Sequence, residues 1–192
     1  MSSLPDGIEI HYLADKPHHA RTCATWEYLE WGMGGGKTLD DALASFTGSQ
    51  RDTLPVTLLA CTDTDEPLGM VSLWASDCPI RPDITPWAAS LYVAPGGRGR
   101  GLGTYLFDRI QGEARRIGFQ RLHLMTQHSE GTYAALGWQV FERIDGPGSM
   151  RRAALMFKTF KRELKDASAS LHSASSCLPK TTSAATLSNS SP

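Results

Sequence analysis

The 192-residue sequence lacks three features that would assign it to a broad class at once. It has no excess of basic residues, since its formal net charge is −1, and this argues against a dedicated nucleic-acid-binding protein. It has no apolar run long enough to cross a bilayer. Its N-terminus, MSSLPDGIEIHYL, has no basic segment followed by a long apolar one. We therefore expect a cytoplasmic protein with neither a nucleic-acid nor a membrane partner.

Closely paired cysteines are also missing. The four cysteines are Cys23, Cys61, Cys78 and Cys177. Because none of them forms a C-x-x-C pair, the sequence predicts neither a zinc site nor a disulfide framework. His18–His19 and Asp77–Cys78 are adjacent residues of metal-binding type, but no further ligand follows at metal-site spacing. We expect no metal.

The composition predicts one folded domain and a tail. Hydrophobic residues make up 41% of the chain, enough for a single core. After Lys165 the sequence becomes DASASLHSASSCLPKTTSAATLSNSSP, whose small polar residues cannot bury enough apolar area to offset the entropy of ordering. We expect a domain over residues 1–164 and a disordered tail over residues 165–192.

Apolar periodicity predicts an α/β fold with a mixed sheet. Alternating or continuous apolar runs indicate seven strands, and helical spacing indicates four helices. The strands are IEIHYL, PVTLLACT, PLGMVSLWA, WAASLYV, RLHLMT, WQVFERI and ALMFKTF. An Asp-rich turn between the second and third strands predicts an antiparallel hairpin. We expect helices on both faces of this sheet.

A first glycine-rich segment, WGMGGGKTLDD from Trp31, has the look of a phosphate-binding loop. That loop needs a glycine five positions before the Gly-Lys pair, where this chain has Trp31, and it must follow a strand rather than the helix predicted here. We interpret the segment as a connection between two helices. It is either a mobile lid or an inert surface loop.

A second glycine-rich segment, GGRGRGLG from Gly96, has the right context for binding phosphate. It follows a strand that ends near Val93 and opens a long helix, whose first N–H groups and dipole favour an anion. Arg98 and Arg100 add positive charge there. The dinucleotide-binding pattern G-x-G-x-x-G fails, because it would require glycine at Leu102 or Thr104. A different phosphate-containing ligand is indicated.

These residues resemble the GCN5-related N-acetyltransferase (GNAT) family, whose acetyl-CoA loop reads Arg/Gln-x-x-Gly-x-Gly/Ala after a strand that ends Val-x-Pro. Arg98, Gly101 and Gly103 match that loop. The segment YAALGW from Tyr133 is similar to the family's Tyr-x-x-Leu-Gly-Phe, with Trp138 in place of phenylalanine. The two motifs occur in the family's order, and the looser likeness extends from about Ile8 to Phe160. It implies a mostly antiparallel sheet that is splayed at its centre.

The resemblance also implies a donor, acetyl-CoA, and direct transfer of its acetyl group to an amine without an acyl-enzyme intermediate. Tyr133 matches the family's general acid, which protonates the departing thiolate. The resemblance assigns donor binding to Leu91, Val93, Arg98, Gly99, Arg100, Gly101, Leu102, Gly103 and Thr104. A backbone N–H near a bulge in SLYV would stabilise the oxyanion.

The proton acceptor is a departure from the family pattern, because the strand WAASLYV has no carboxylate where many members carry glutamate. Asp83 in the preceding connection is the first candidate for a base acting through water, and Asp77 and Glu30 are others. We expect Glu27 and Trp87 to contact the acceptor, Glu27 either by its charge or as part of the proton relay.

The sequence thus predicts an N-acetyltransferase acting on a primary amine of a small molecule or of a peptide or protein. A non-catalytic acyl-CoA-binding regulatory module is the main alternative, since the strand carboxylate is missing. An interaction domain tethered by the Ser-rich tail is a second alternative. The family resemblance leaves both a monomer and a homodimer open.

Overall fold

The computed structural model describes residues 3–33 and 36–160. Its centre is a seven-stranded sheet in the order β1-β2-β3-β4-β5-β7-β6. The strands are β1 (Ile8–Tyr12), β2 (Val56–Thr62), β3 (Pro67–Trp74), β4 (Trp87–Val93), β5 (Arg121–Thr126), β6 (Gln139–Ile144) and β7 (Ala153–Thr159). All neighbouring strands are antiparallel except β4 and β5, which are parallel. The predicted hairpin of β2 and β3 is confirmed.

Four α-helices pack around the sheet: α1 (Ala20–Glu27), α2 (Leu39–Thr47), α3 (Leu102–Arg116) and α4 (Glu130–Ala135). A π-helical turn, Tyr28–Gly32, extends α1. The Thr38 hydroxyl accepts a hydrogen bond from the Asp41 N–H, and the Asp41 carboxylate accepts one from the Thr38 N–H. This capping box fixes the start of α2 just after the first glycine-rich segment.

Alternation along the strands divides the core between the two faces of the sheet. Leu58 of β2 packs with Leu106 and Ile110 of α3, whereas the next residue, Leu59, packs with Phe46 of α2. Successive side chains of a strand point to opposite faces, so one run of apolar residues supplies both cores. The predicted helices on both faces are confirmed.

The sheet opens at its centre. Strands β4 and β5 share a single paired position, Trp87 with His123, within the residues that the structure describes. Beyond that position β4 stays paired with β3 but diverges from β5. The predicted mixed, mostly antiparallel and splayed sheet is therefore confirmed, and the opening marks where a ligand can reach the strand backbone.

Among the described residues, no helix is both long and apolar enough to span a membrane. The tail predicted over residues 165–192 lies outside the described residues, as do Gly34 and Gly35 of the first glycine-rich segment.

Candidate active site

A cavity of about 380 Å³ occupies the opening between β4 and β5. Its walls include Ala88 and Leu91 of β4 and Leu124 of β5. On one face of the sheet it reaches Phe107 of α3, and on the other it reaches Glu27 of α1. The cavity thus crosses the sheet, and ligands from opposite faces can meet inside it.

A bulge in β4 forms part of this cavity. Met70 pairs with Tyr92 and Ser72 pairs with Ala89, so Val71 of β3 faces two residues of β4, Ser90 and Leu91. Ser90 has a φ of +53°, a left-handed value that is uncommon outside glycine. A bulge re-aims backbone groups beside a site, and its position agrees with the bulge expected in SLYV.

Two carboxylates lie at the α1 end of the cavity. Glu27 is only 5% exposed, and burial raises the pKa of its carboxyl group, while Ser90 and Lys37 act in the opposite direction. Asp77, from the connection between β3 and β4, is partly exposed to the same cavity. Burial and the nearby Glu27 raise the pKa of Asp77 to about 7, and Lys37 opposes them. Asp77 can therefore hold or accept a proton near neutral pH.

Tyr133 of α4 lies at the other end of the cavity. Its half-buried ring packs against Phe107 at 5.2 Å and against Trp138 at 6.2 Å, measured between ring centroids. Burial raises the pKa of the phenol, which therefore keeps its proton at neutral pH. The structure brings Tyr133 and Glu27 to one cavity, at its two ends.

The second glycine-rich segment forms the turn before α3. Gly99 and Gly101 have φ values of +73° and +77°, and Gly101 is the N-cap of the helix. The first intrahelical bond runs from the Tyr105 N–H to the Gly101 carbonyl, so the N–H groups of the three preceding residues point out of the helix end. Those residues are Leu102, Gly103 and Thr104.

This turn fits an anionic donor. A Cβ at Gly97 would lie 3.1 Å from the Leu68 carbonyl oxygen, so the turn packs tightly on β3 and leaves its outer side to a ligand. The Leu102 side chain is buried in the core, and that residue offers only its backbone to a ligand. The fit to pyrophosphate rests on backbone N–H groups and on the helix dipole.

The two arginines of the turn are anchored to backbone carbonyls. Arg98 donates from Nε to the Val93 carbonyl at 2.9 Å, and Arg100 donates from Nη2 to the Asp6 carbonyl at 2.9 Å. Both side chains are exposed and keep further N–H donors for a phosphate. Val93 is one of the residues expected to bind the donor, and its carbonyl already accepts the hydrogen bond from Arg98.

Two expected acceptor-side residues lie elsewhere. Asp83 does not line the cavity: it is exposed and forms a two-pronged ion pair with Arg81, at 3.0 Å and 2.9 Å, which lowers the pKa of Asp83. Trp87 is fully buried, and its indole N–H donates to the Ile84 carbonyl at 2.7 Å. Arg81 neutralises the first and the core encloses the second, so neither is placed to meet an acceptor.

A group of possible metal ligands lies away from this cavity. His18, His19 and Asp65 bring three ligand atoms within 4.8 Å of one another. The Lys16 ammonium contacts Asp65 Oδ1 at 2.6 Å, so a cation already compensates the one carboxylate of the group. Sequence spacing did not reveal Asp65, because the turn after β2 brings it to the two histidines.

Several cavity residues were not predicted from the sequence. Phe107, which supports Tyr133, is one apolar position among many in α3 and gives no signal of its own. Trp31 and Lys37, both within the first glycine-rich segment, also line the cavity. The unusual glycine content of this segment was the available signal, and it was interpreted only as a helix connection that is either a mobile lid or an inert surface loop.

Known proteins are similar to this chain over most of the described residues. The acetyltransferase (GNAT) family matches residues 11–138. N-alpha-acetyltransferase 80 of Mus musculus is 42% identical over 57 residues, which span 30% of this chain and 18% of that protein. The chain thus matches less than one fifth of that relative's length.

Solved structures share the fold. An aminoglycoside 6'-N-acetyltransferase complexed with coenzyme A superposes with a TM-score of 0.60 at 15% identity, covering 82% of this chain and 99% of that one. The yncA protein of Salmonella typhimurium, with its cofactor acetyl-CoA, gives 0.58 at 18% identity, covering 82% and 96%. These likenesses show a shared fold. With the family match over residues 11–138, the splayed sheet and the glycine turn, the chain belongs to the acetyltransferase (GNAT) family.

Proposed function

We propose that this protein transfers the acetyl group of acetyl-CoA directly to a primary amine of a small molecule or of a peptide or protein. The observation that carries the proposal is the cavity that crosses the sheet, with a protonated phenol at one end and two carboxylates at the other. Acyl transfer to an amine needs a proton donor for the leaving thiolate and a proton acceptor for the nucleophile. Both kinds of group line one cavity.

Donor binding is assigned to the turn before α3 and to β4. The N–H groups of Leu102, Gly103 and Thr104 would receive the pyrophosphate, with Arg98 and Arg100 adding charge. Backbone groups of Leu91 and Val93, on the side of β4 that has left β5, would pair with the pantetheine arm. Bound acetyl-CoA supplies an acetyl thioester, which is electrophilic at its carbonyl carbon.

Two observations indicate which class of acceptor to test. The Mus musculus relative is named as an N-alpha-acetyltransferase, which favours the α-amino group of a peptide or protein N-terminus as acceptor. The cavity itself favours a cationic amine, because Glu27, Glu30 and Asp77 outnumber Lys37 along its walls. Small amines, amino acids and peptides with free N-termini are therefore the acceptors to test.

Calorimetric titration with acetyl-CoA, followed by mass spectrometry of reactions with that set of acceptors, tests the proposal. We expect binding of acetyl-CoA and a gain of one acetyl group on at least one acceptor. Binding without transfer to any acceptor would contradict the enzyme and favour the acyl-CoA-binding module. Absence of binding would contradict the assignment of the glycine turn.

A further inference from the structure

The α1 end of the cavity contains a buried acceptor oxygen that has no partner. Glu27 is 5% exposed, and its Oε2 makes no hydrogen bond to any of the described residues. A carboxylate oxygen buried in this way costs free energy unless a donor reaches it. Because Glu27 lines the cavity, a ligand bound there would lie beside this carboxyl group.

A second unpartnered group lies on the bulge of β4. Ser90 is 8% exposed and lines the same cavity, and its Oγ has no hydrogen-bond partner among the described residues. The left-handed backbone of Ser90 is part of the bulge that turns this stretch of β4. The Ser90 hydroxyl lies close enough to lower the pKa of Glu27, yet neither Glu27 Oε2 nor Ser90 Oγ makes a hydrogen bond of normal geometry among the described residues. This is the arrangement expected of a site that is completed by a polar ligand.

The charges around this space favour binding of a cation that can donate a proton, such as a protonated amine. Burial and the like charge of Glu27 disfavour ionisation of Asp77, and burial disfavours ionisation of Glu27. Lys37, over the Trp74 ring at 5.4 Å, is the nearby opposing charge. The other titratable groups that line the cavity are Glu30, His128 and Tyr133.

We infer that Glu27 and Asp77 act as a pair that receives the protonated amine of the acceptor and takes its proton. This inference rests on the proposed function and identifies the proton acceptor that β4 does not supply. The pair comes from α1 and from the β3–β4 connection, two elements that the chain brings together at the bulge. The acceptor it selects is an ammonium ion rather than a neutral amine or an alcohol.

The proton balance of the reaction is complete with this pair. The ammonium gives one proton to the pair, and the freed lone pair on nitrogen forms the N–C bond to the acetyl carbonyl carbon. The C–S bond breaks with its electrons on sulfur, and Tyr133 protonates that sulfur. The second proton of the former ammonium restores Tyr133, and the pair releases its proton to water. One proton is released in each turnover.

NMR titration of the carboxyl carbons in the full chain tests the pair without any turnover. We expect Asp77 to titrate with a midpoint near 7 and Glu27→Gln to lower that midpoint, since a like charge is removed. Addition of n-butylammonium should lower it by roughly half a unit or more, and the uncharged n-butanol should not. A midpoint near the ordinary Asp value, or equal responses to both probes, would overturn the inference.

The role of the pair is tested by steady-state kinetics. The acceptor to use is the one that the protein acetylates most efficiently. In the wild-type chain kcat/KM should rise with pH through about 7, because the ionised pair accepts the proton. Asp77→Asn should lower kcat/KM at least ~tenfold at neutral pH and remove this rise, with acetyl-CoA affinity retained. The matched variant Asp83→Asn, which removes a carboxylate held by Arg81, should keep the wild-type profile.

The two proposals fail in different ways. If no acceptor is acetylated although acetyl-CoA binds, the proposed function fails, and the NMR titration still decides whether the carboxyl groups form a coupled pair. If acetylation occurs and Asp77→Asn keeps the wild-type rate and pH profile, the pair is not the proton acceptor, while the enzyme assignment stands. A loss in Asp83→Asn equal to that in Asp77→Asn would also overturn the inference.

Discussion

Aromatic neighbours hold the ring of Tyr133. Its ring packs between Phe107 and Trp138, and burial raises the pKa of its hydroxyl group. Trp138 stands where the family motif has phenylalanine, and it is 2% exposed. The larger ring fills the core beneath the tyrosine, so the substitution supports the position of the phenol. A protonated phenol at a fixed place is what a thiolate leaving group requires.

At the residue scale, the sharpest prediction concerns this phenol. Tyr133→Phe removes the proton donor and keeps the ring, so we expect the rate of acetyl transfer to fall at least ~tenfold with nearly unchanged affinity for acetyl-CoA. Steady-state kinetics and calorimetry measure the two quantities, and the melting temperature controls for folding. Turnover at the wild-type rate would exclude Tyr133 from proton transfer.

The sequence alone could not show which carboxylate of the β3–β4 connection lines the cavity. Asp77 and Asp83 both lie in the polar connection before β4, and nothing in their spacing separates them. The difference arises from Arg81, which binds Asp83 from two positions away, and from Glu27, which reaches Asp77 only after α1 has packed on the sheet. Trp87, expected to contact the acceptor, is fully buried in the structure, as large aromatic residues on a central strand commonly are.

The elements themselves follow closely from the sequence. Apolar alternation identified the seven strands, and Gly118, with a φ of +98°, follows the end of α3 as its C-terminal stop. The pairing of strands that are distant in the chain was harder to predict from the sequence. That β4 and β5 share one paired position follows from no local pattern, and the expectation of a splay came from the family resemblance.

Alanine substitutions at two glycines, one at the start of α3 and one inside it, distinguish the effect of backbone strain from that of helix propensity. Gly101 caps the helix with a φ of +77°, whereas Gly112 lies inside the helix in open space. Alanine at Gly101 should cost ~1–2 kcal/mol, because an L-residue resists left-handed backbone. We expect this to lower the melting temperature by several degrees and to weaken acetyl-CoA binding, since the turn presents the anion-binding N–H groups.

Gly112→Ala is the matched control at the element scale. The same substitution in the interior of α3 should stabilise the protein by ~0.5–1 kcal/mol and leave acetyl-CoA affinity unchanged. Differential scanning calorimetry and isothermal titration measure both quantities on each variant. If Gly101→Ala kept the wild-type melting temperature and affinity, the turn would not depend on its left-handed cap.

At the scale of the whole molecule, the sheet separates the two sides of the reaction. The turn before α3 and Tyr133 pack with the core on one face, whereas Glu27 belongs to the helix on the other. The cavity between β4 and β5 connects the faces. Donor and acceptor can therefore be bound at the same time, and no group of the protein needs to carry the acetyl group between them.

This architecture predicts a sequential mechanism. Cys23, Cys61 and Cys78 are all buried and none lines the cavity, so the described part of the chain offers no thiol as an acyl carrier. Initial rates measured over a grid of acetyl-CoA and acceptor concentrations should give intersecting double-reciprocal lines, because both substrates must be bound before transfer. Incubation with acetyl-CoA alone should leave the mass of the protein unchanged. Parallel lines together with an acetylated protein would instead show a covalent intermediate, and the two faces of the cavity would then be used in turn.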